Sequence, residues 1–169
     1  MNNFNDGTAI KEIEDTVEAA QKAAYNILNF SDNTVNQLRE KLLAKGYSES
    51  SCEGAIKHCV EHGHIKEADH LARFIEICAG KFYGRRRIYM EAKARGFDSD
   101  LIKERFDKCI ENIDFDMNCA KLISRLIAAT PSLATDMNKL IATVMRYGYS
   151  IEEIRAGYKL FSTKRKKLK

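Results

Sequence analysis

The chain has 169 residues, enough for one medium domain or a row of small ones. Its apolar content of 44% suffices for a core, while a single proline and nine glycines exclude a loop-rich fold. No apolar run approaches the roughly eighteen residues that span a bilayer and no signal-peptide core follows Met1, so the chain reads as soluble and cytoplasmic; its net charge of +4 hides a strong asymmetry.

Residues 1–18 hold five acids, Asp6, Glu12, Glu14, Asp15 and Glu18, against Lys11 alone. The remainder carries 27 bases and 19 acids, and five of the last six residues are basic. An acidic, disordered head over 1–15, a basic body and a basic tail over 163–169 suit an anionic partner.

Between head and tail the sequence repeats. Residues 38–48 (LREKLLAKGYS), 88–98 (IYMEAKARGFD) and 140–150 (LIATVMRYGYS) align on Gly46, Gly96 and Gly148. Leu38, Ile88 and Leu140 stand eight before the glycine, and Leu42, Ala92 and Val144 four before it. Apolar residues four apart share one face of a helix. Glycine ends the helix by adopting positive φ. Tyr47, Phe97 and Tyr149 follow it and can pack back on the last turn; Ser48, Asp98 and Ser150 then cap the next helix. That helix places Cys52, Ile102 and Ile154, then Ile56, Phe106 and Tyr158, then Cys59, Cys109 and Phe161 on its apolar face.

A further helix precedes each pair, predicted at 16–30, 66–80 and 115–129, with stripes supplied by Tyr25 and Leu28, Phe74 and Cys78, and Ile123 and Leu126. The sequence therefore predicts an all-α fold of three tandem three-helix repeats, 16–64, 65–113 and 114–162. Three short helices bury little surface alone, so neighbouring repeats should pack on one another.

Catalytic signatures are missing from the sequence: no phosphate loop, dinucleotide-binding glycine pattern or nucleophile elbow occurs. The five cysteines, Cys52, Cys59, Cys78, Cys109 and Cys119, form no CxxC pair and read as reduced thiols. His58, His62, His64 and His70 cluster near Cys59, but Cys59 occupies a repeated apolar position, which suits a buried hydrophobe better than a zinc ligand. Acid pairs such as Asp98 with Asp100 and Glu152 with Glu153 fall in first helical turns, where they suit the helix dipole. The expectation is a binding protein, not an enzyme, with neither cofactor nor metal.

The strongest functional signal is 73–95, where Arg73, Lys81, Arg85, Arg86, Arg87, Lys93 and Arg95 face only Glu76 and Glu91, with Phe82, Tyr83 and Tyr89 interleaved. Cations neutralise phosphates and aromatic rings stack on bases. Arg85 to Arg87 equally suit the solvated start of a helix, with Tyr83 and Ile88 in the core.

Ser31 followed by Leu38-Arg39 and Lys45-Gly46-Tyr47, then Glu61-His62-Gly63, Ala72-Arg73-Phe74-Ile75, Lys81-Phe82-Tyr83-Gly84-Arg85-Arg86-Arg87-Ile88 and Arg95-Gly96-Phe97 form a series of short segments. In order and spacing this series resembles the RecX family of RecA regulators. The resemblance covers about residues 20–161 and is most specific over 31–98. It implies tandem three-helix repeats in an elongated, curved array that lies in the groove of the RecA–DNA filament. It implies inhibition of strand exchange, ATP hydrolysis and coprotease activity, a place in DNA repair, recombination and the SOS response, and no catalytic site. The basic residues it carries over are chiefly Arg39, Lys45, Arg73, Lys81, Arg87 and Arg95; with Arg85, Arg86 and Lys93 they form the expected contact set. Weak, non-specific binding of single- or double-stranded DNA and a monomeric state go with this reading. The family's paired acids and Arg-Phe are replaced here by Lys66-Glu67 and Asp69-His70, so the start of the second repeat should be capped differently. Two rival readings are a helix-turn-helix DNA-binding protein and a helical protein–protein adaptor.

Overall fold

A computed structural model describes residues 14–167, with side chains through Thr163. Most of the acidic head, residues 1–13, lies outside the described residues, as do 168 and 169. The described chain is all-α and contains no strand. The helices are α1 (Val17–Phe30), α2 (Val35–Ala44), α3 (Glu49–Glu61), α4 (Glu67–Gly80), α5 (Arg85–Ala94), α6 (Ser99–Ile110), α7 (Phe115–Ala129), α8 (Met137–Arg146) and α9 (Ile151–Lys167). The three helices predicted at 16–30, 66–80 and 115–129 are α1, α4 and α7. A 3₁₀ turn at Pro131–Ala134, which the sequence did not announce, links α7 to α8 and buries Leu133.

The chain divides into two compact units, one ending at Ile65 and the other starting at Lys66. The first holds α1–α3 around Ala20, Ala24, Leu38, Leu42, Cys52, Ala55, Ile56 and Cys59. The second holds α4–α9 around one continuous core that includes Leu71, Ile75, Ile88, Ile102, Phe106, Ile123, Leu140, Val144 and Ile154. The aligned positions eight and four before each glycine are all buried. Burying a side chain of leucine size contributes about 1.5–3 kcal/mol, so these positions outweigh any surface charge pair.

The turns form as the spacing requires. Gly46, Gly96 and Gly148 take φ of 97°, 88° and 92°. At the first two, the glycine N–H and the N–H of the following aromatic return to carbonyls of the last helical turn: Gly46 to Leu43 and Tyr47 to Leu42, Gly96 to Lys93 and Phe97 to Ala92. This closure occupies carbonyls that a helix end otherwise leaves bare. Phe97 and Tyr149 are buried, Tyr47 half-buried. The caps follow. Ser48 accepts from Ser51 N, Asp98 from Asp100 N and Leu101 N, and Ser150 exchanges hydrogen bonds with Glu153. Two helices start without a capping side chain. One is α4, at Lys66, where the sequence departs from the pattern of the family it resembles; the other is α5, at Gly84.

One turn breaks the glycine rule. The end of α4 closes through the same pair of bonds, Phe82 N–H to Ala79 and Tyr83 N–H to Cys78, yet the left-handed position is held by Phe82, at φ 60°. A side chain there costs roughly 1–2 kcal/mol. Packing of Phe82 on the core and the Arg125 guanidinium 5.3 Å from its ring centre offset that cost.

The glycines differ in what surrounds them, which separates backbone strain from steric clash. Gly63 ends α3 at φ 69° with open space where a Cβ would stand, whereas a Cβ on Gly148 would lie 2.4 Å from both Cβ and N of Arg87. Gly63→Ala is expected to destabilise the first unit by about 1 kcal/mol, the cost of the left-handed backbone alone. Gly148→Ala should destabilise the second by about 3 kcal/mol, because backbone must also move. Urea unfolding of each variant measures this, and equal losses would remove the close-approach argument.

Candidate nucleic-acid interface

The predicted basic stretch occupies the end of α4, the turn after it, and α5. Cations are disfavoured at a helix N-terminus because the exposed N–H groups make that end positive. Three consecutive arginines at the start of α5 therefore need compensation, and the second unit supplies it. The Gly84 N–H donates to Tyr147 O at 2.7 Å and the Arg86 N–H to Gly148 O at 3.3 Å. The N-terminus of α5 thus docks on the C-terminal turn of α8, positive end against negative end. Only glycines permit the approach: a Cβ on Gly84 would lie 2.5 Å from Gly148 C and O.

The side chains then part ways. Arg85 pairs with Glu153 at 3.0 Å and lies over the Phe115 ring at 4.2 Å. Arg87 pairs with Glu91 at 3.2 Å and lies 3.8 Å from the Tyr83 ring centre, with Tyr147 at 5.6 Å. Arg85 and Arg87 thus brace α5 against α7 and the α8–α9 turn. Arg86 is exposed, and its guanidinium has no partner among the described residues. It borders an open cavity of about 280 Å³ with Arg85, Gly148, Tyr149, Ser150 and Glu153. The Tyr149 hydroxyl is buried without a hydrogen-bond partner, and burial, reinforced by the charges of Cys119 and Glu153, raises its pKa. Phe97 fills the matching place after Gly96 with no hydroxyl at all.

The interleaved aromatics are occupied too. Tyr83 faces Arg87, Tyr89 packs edge-on to Phe106 with Lys93 5.1 Å from its ring centre, and Phe82 lies beneath Arg125. Rings that read as platforms for bases are thus engaged by the protein's own cations. The geometry favours contact with phosphate over stacking on bases.

Of the remaining expected contact residues, Arg73, Lys81, Lys93 and Arg95 are exposed in the second unit. In the first unit, Lys45 is exposed at the end of α2, while Arg39 is held by Glu49 and, at 3.5 Å, by Glu53; the Glu49 hydrogen bond raises its pKa. Sequence reading missed Arg125 beside Phe82, and exposed Lys121, Arg155 and Lys159 on α7 and α9. Their only signal was helical spacing, with no acid within four residues of Lys121, Arg125 or Lys159.

Among the described residues no thiol is poised for attack. Burial raises the pKa of all five thiols, Cys119 to about 12, which disfavours the thiolate that attack requires. His58, His62 and His64 gather on Tyr25: the His58 and His62 rings lie 3.9 Å apart and the His64 ring 4.8 Å from that of Tyr25. Among the described residues no group of three His, Cys, Asp or Glu side chains is arranged to hold a metal ion. No helix among them is long and apolar enough to cross a membrane.

Comparison with known proteins agrees with the family resemblance. The chain is 26% identical to the regulatory protein RecX of Caldanaerobacter subterraneus subsp. tengcongensis over 141 residues, covering 83% of this chain and 70% of that one. It is 23% identical to RecX of Vibrio vulnificus over 137 residues, 81% and 89% of the two chains, and 26% identical to an Escherichia coli RecX over 150 residues, 82% and 89%. The crystal structure of RecX from Lactobacillus salivarius superposes with a TM-score of 0.71 at 16% identity, over 87% of this chain and 97% of that one. No protein-family model matches. The chain resembles the RecX regulatory proteins in sequence across four fifths of its length, and it shares their fold.

The split within the triplet gives a sharp expectation. Arg86→Gln should leave the stability of the second unit within about 0.5 kcal/mol and reduce the slope of log affinity for DNA against log salt by about 0.7–0.9. Arg87→Gln should lower stability by about 1 kcal/mol, through its ring and Glu91 contacts, and change the slope by less than half as much. Urea unfolding and salt titrations of binding measure both; equal slope changes would mean that Arg87 leaves Tyr83 to meet phosphate.

Proposed function

Taking the RecX-like sequence and fold as premise, we propose that this chain regulates the RecA recombinase by binding the RecA–DNA filament, and has no catalytic site of its own. The observation that carries the proposal is the likeness to RecX regulatory proteins over four fifths of the chain. The chemistry of the basic stretch supports it. Arg86, Lys81, Arg73, Lys93 and Arg95 on the second unit, and Lys45 and Arg39 on the first, supply the positive charge that a partner with a repeating phosphate backbone requires. Binding of DNA alone is then weak and indifferent to sequence.

A helix-turn-helix reading is less well supported. A recognition helix presents its N-terminal residues to base edges. The N-terminus of α5 is instead covered by the Tyr147–Gly148 turn.

The deciding measurement is DNA-dependent ATP hydrolysis by RecA filaments, with and without the protein. Hydrolysis should fall as the protein is titrated to stoichiometric levels. No change at stoichiometric excess would end the filament proposal, and DNA binding with a preference of orders of magnitude for one duplex site would favour a transcription regulator.

A further inference from the structure

Positive charge in the second unit is not confined to the arginine triplet. On α9 both acids, Glu152 and Glu153, sit in the first turn, and every charged residue after them is basic. Arg155, Lys159 and Thr163 are exposed at intervals of four residues, while Ile154 and Gly157 are buried, so the cations share the face turned from the core. The helix does not stop where the basic tail begins: it runs through Lys164, Arg165, Lys166 and Lys167. Alongside, α7 has one acid, Asp116 in its first turn, followed by exposed Lys121 and Arg125.

This arrangement is unfavourable in isolation. Arg155 and Lys159 are like charges four apart, a spacing that places them side by side and disfavours the helix. No ion pair joins either to an acid among the described residues, whereas Arg85 and Arg87 both have one. Cations toward the helix C-terminus are matched by its dipole, but that effect fades beyond the last turn and does not reach Arg155. Glu152, one turn before Arg155, has a lowered pKa whose first cause is a hydrogen bond to its own backbone N–H, then one from Ser150, with the charge of Arg155 only last.

We infer that the exposed face of α9 is a second polyanion-binding surface, separate from residues 81–95, that takes the sugar-phosphate backbone of nucleic acid along its length. From Arg155 to Thr163 the helix advances about 12 Å at ~1.5 Å per residue. That length matches on the order of three to four phosphates of one strand at ~3.4 Å each. A phosphate backbone supplies a continuous row of negative charge and relieves the repulsion along α9, without requiring a pocket. The inference deepens the filament proposal by assigning a direct nucleic-acid contact, and it can stand or fall separately.

The test uses the full chain and two variants, Arg155→Gln/Lys159→Gln and Lys164→Gln/Arg165→Gln/Lys166→Gln/Lys167→Gln. Each is titrated into a labelled mixed-sequence single strand and its duplex across a salt series, with thermal melting as the control for folding. Both should bind more weakly at low salt, with slopes of log affinity against log salt reduced by about 1–2 and about 2–3 respectively, and should melt no lower than the parent. Parental affinity and slope in both variants would overturn the inference, as would absence of DNA binding by the parent chain. In the latter case RecA ATP hydrolysis still decides the filament proposal, since filament contact can be made through protein. Conversely, α9-dependent DNA binding without any effect on RecA would keep this surface and remove that proposal.

Discussion

Every three-helix set in this chain depends on how its second helix ends. A left-handed residue lets two N–H groups fold back onto the final carbonyls, and the chain leaves at an angle that brings the next helix onto the same core. Gly46 and Gly96 do this before α3 and α6, and Gly148, before α9, holds the same left-handed place with its own N–H returned to Met145. An aromatic side chain then seals the turn and a hydroxyl or carboxylate caps the helix that follows. Because the turn fixes where both helices point, the buried positions before and after it need only be apolar and correctly spaced. Cys59, Cys109 and Phe161 can therefore hold corresponding places despite their different volumes.

In the second unit the same turn acquires another use. Gly148 has no side chain to keep α5 away, so the carbonyls around it receive the first N–H groups of α5. That docking accounts for both oddities of α5, its missing cap and its arginines at the wrong end of a dipole. Arg85 and Arg87 are drawn to Glu153, Glu91 and nearby rings, and Arg86 is left outside. A cluster that looks uniform in sequence thus divides into two bracing arginines and one left exposed.

The repeat was legible because it combines two signals with a physical cause: helical spacing of apolar residues and a glycine where φ must be positive. Three features were not. Ala20 and Ala24 rather than Tyr25 and Leu28 form the most buried part of α1, because α3 comes close at Gly54, where a Cβ would lie 2.9 Å from Val17. Small residues at a close helix crossing look like nothing in particular until the partner is known. Phe82 takes a left-handed turn position that sequence rules reserve for glycine, since the preference is local and the core that overrides it is not. The pairing of Arg85 with Glu153 joins residues 68 apart in the chain, a separation at which pattern reading has no purchase. The basic stretch itself was visible, but its division between bracing and exposed cations was not.

On the filament proposal, this RecX-like chain works by laying charged helix faces along a polymer. The most direct test is amide hydrogen exchange of the protein alone and with saturating RecA–DNA filament. Added protection over residues 81–95 and along α9 is the predicted result. Unchanged exchange throughout the chain, or protection confined to α2 and α3, would contradict it.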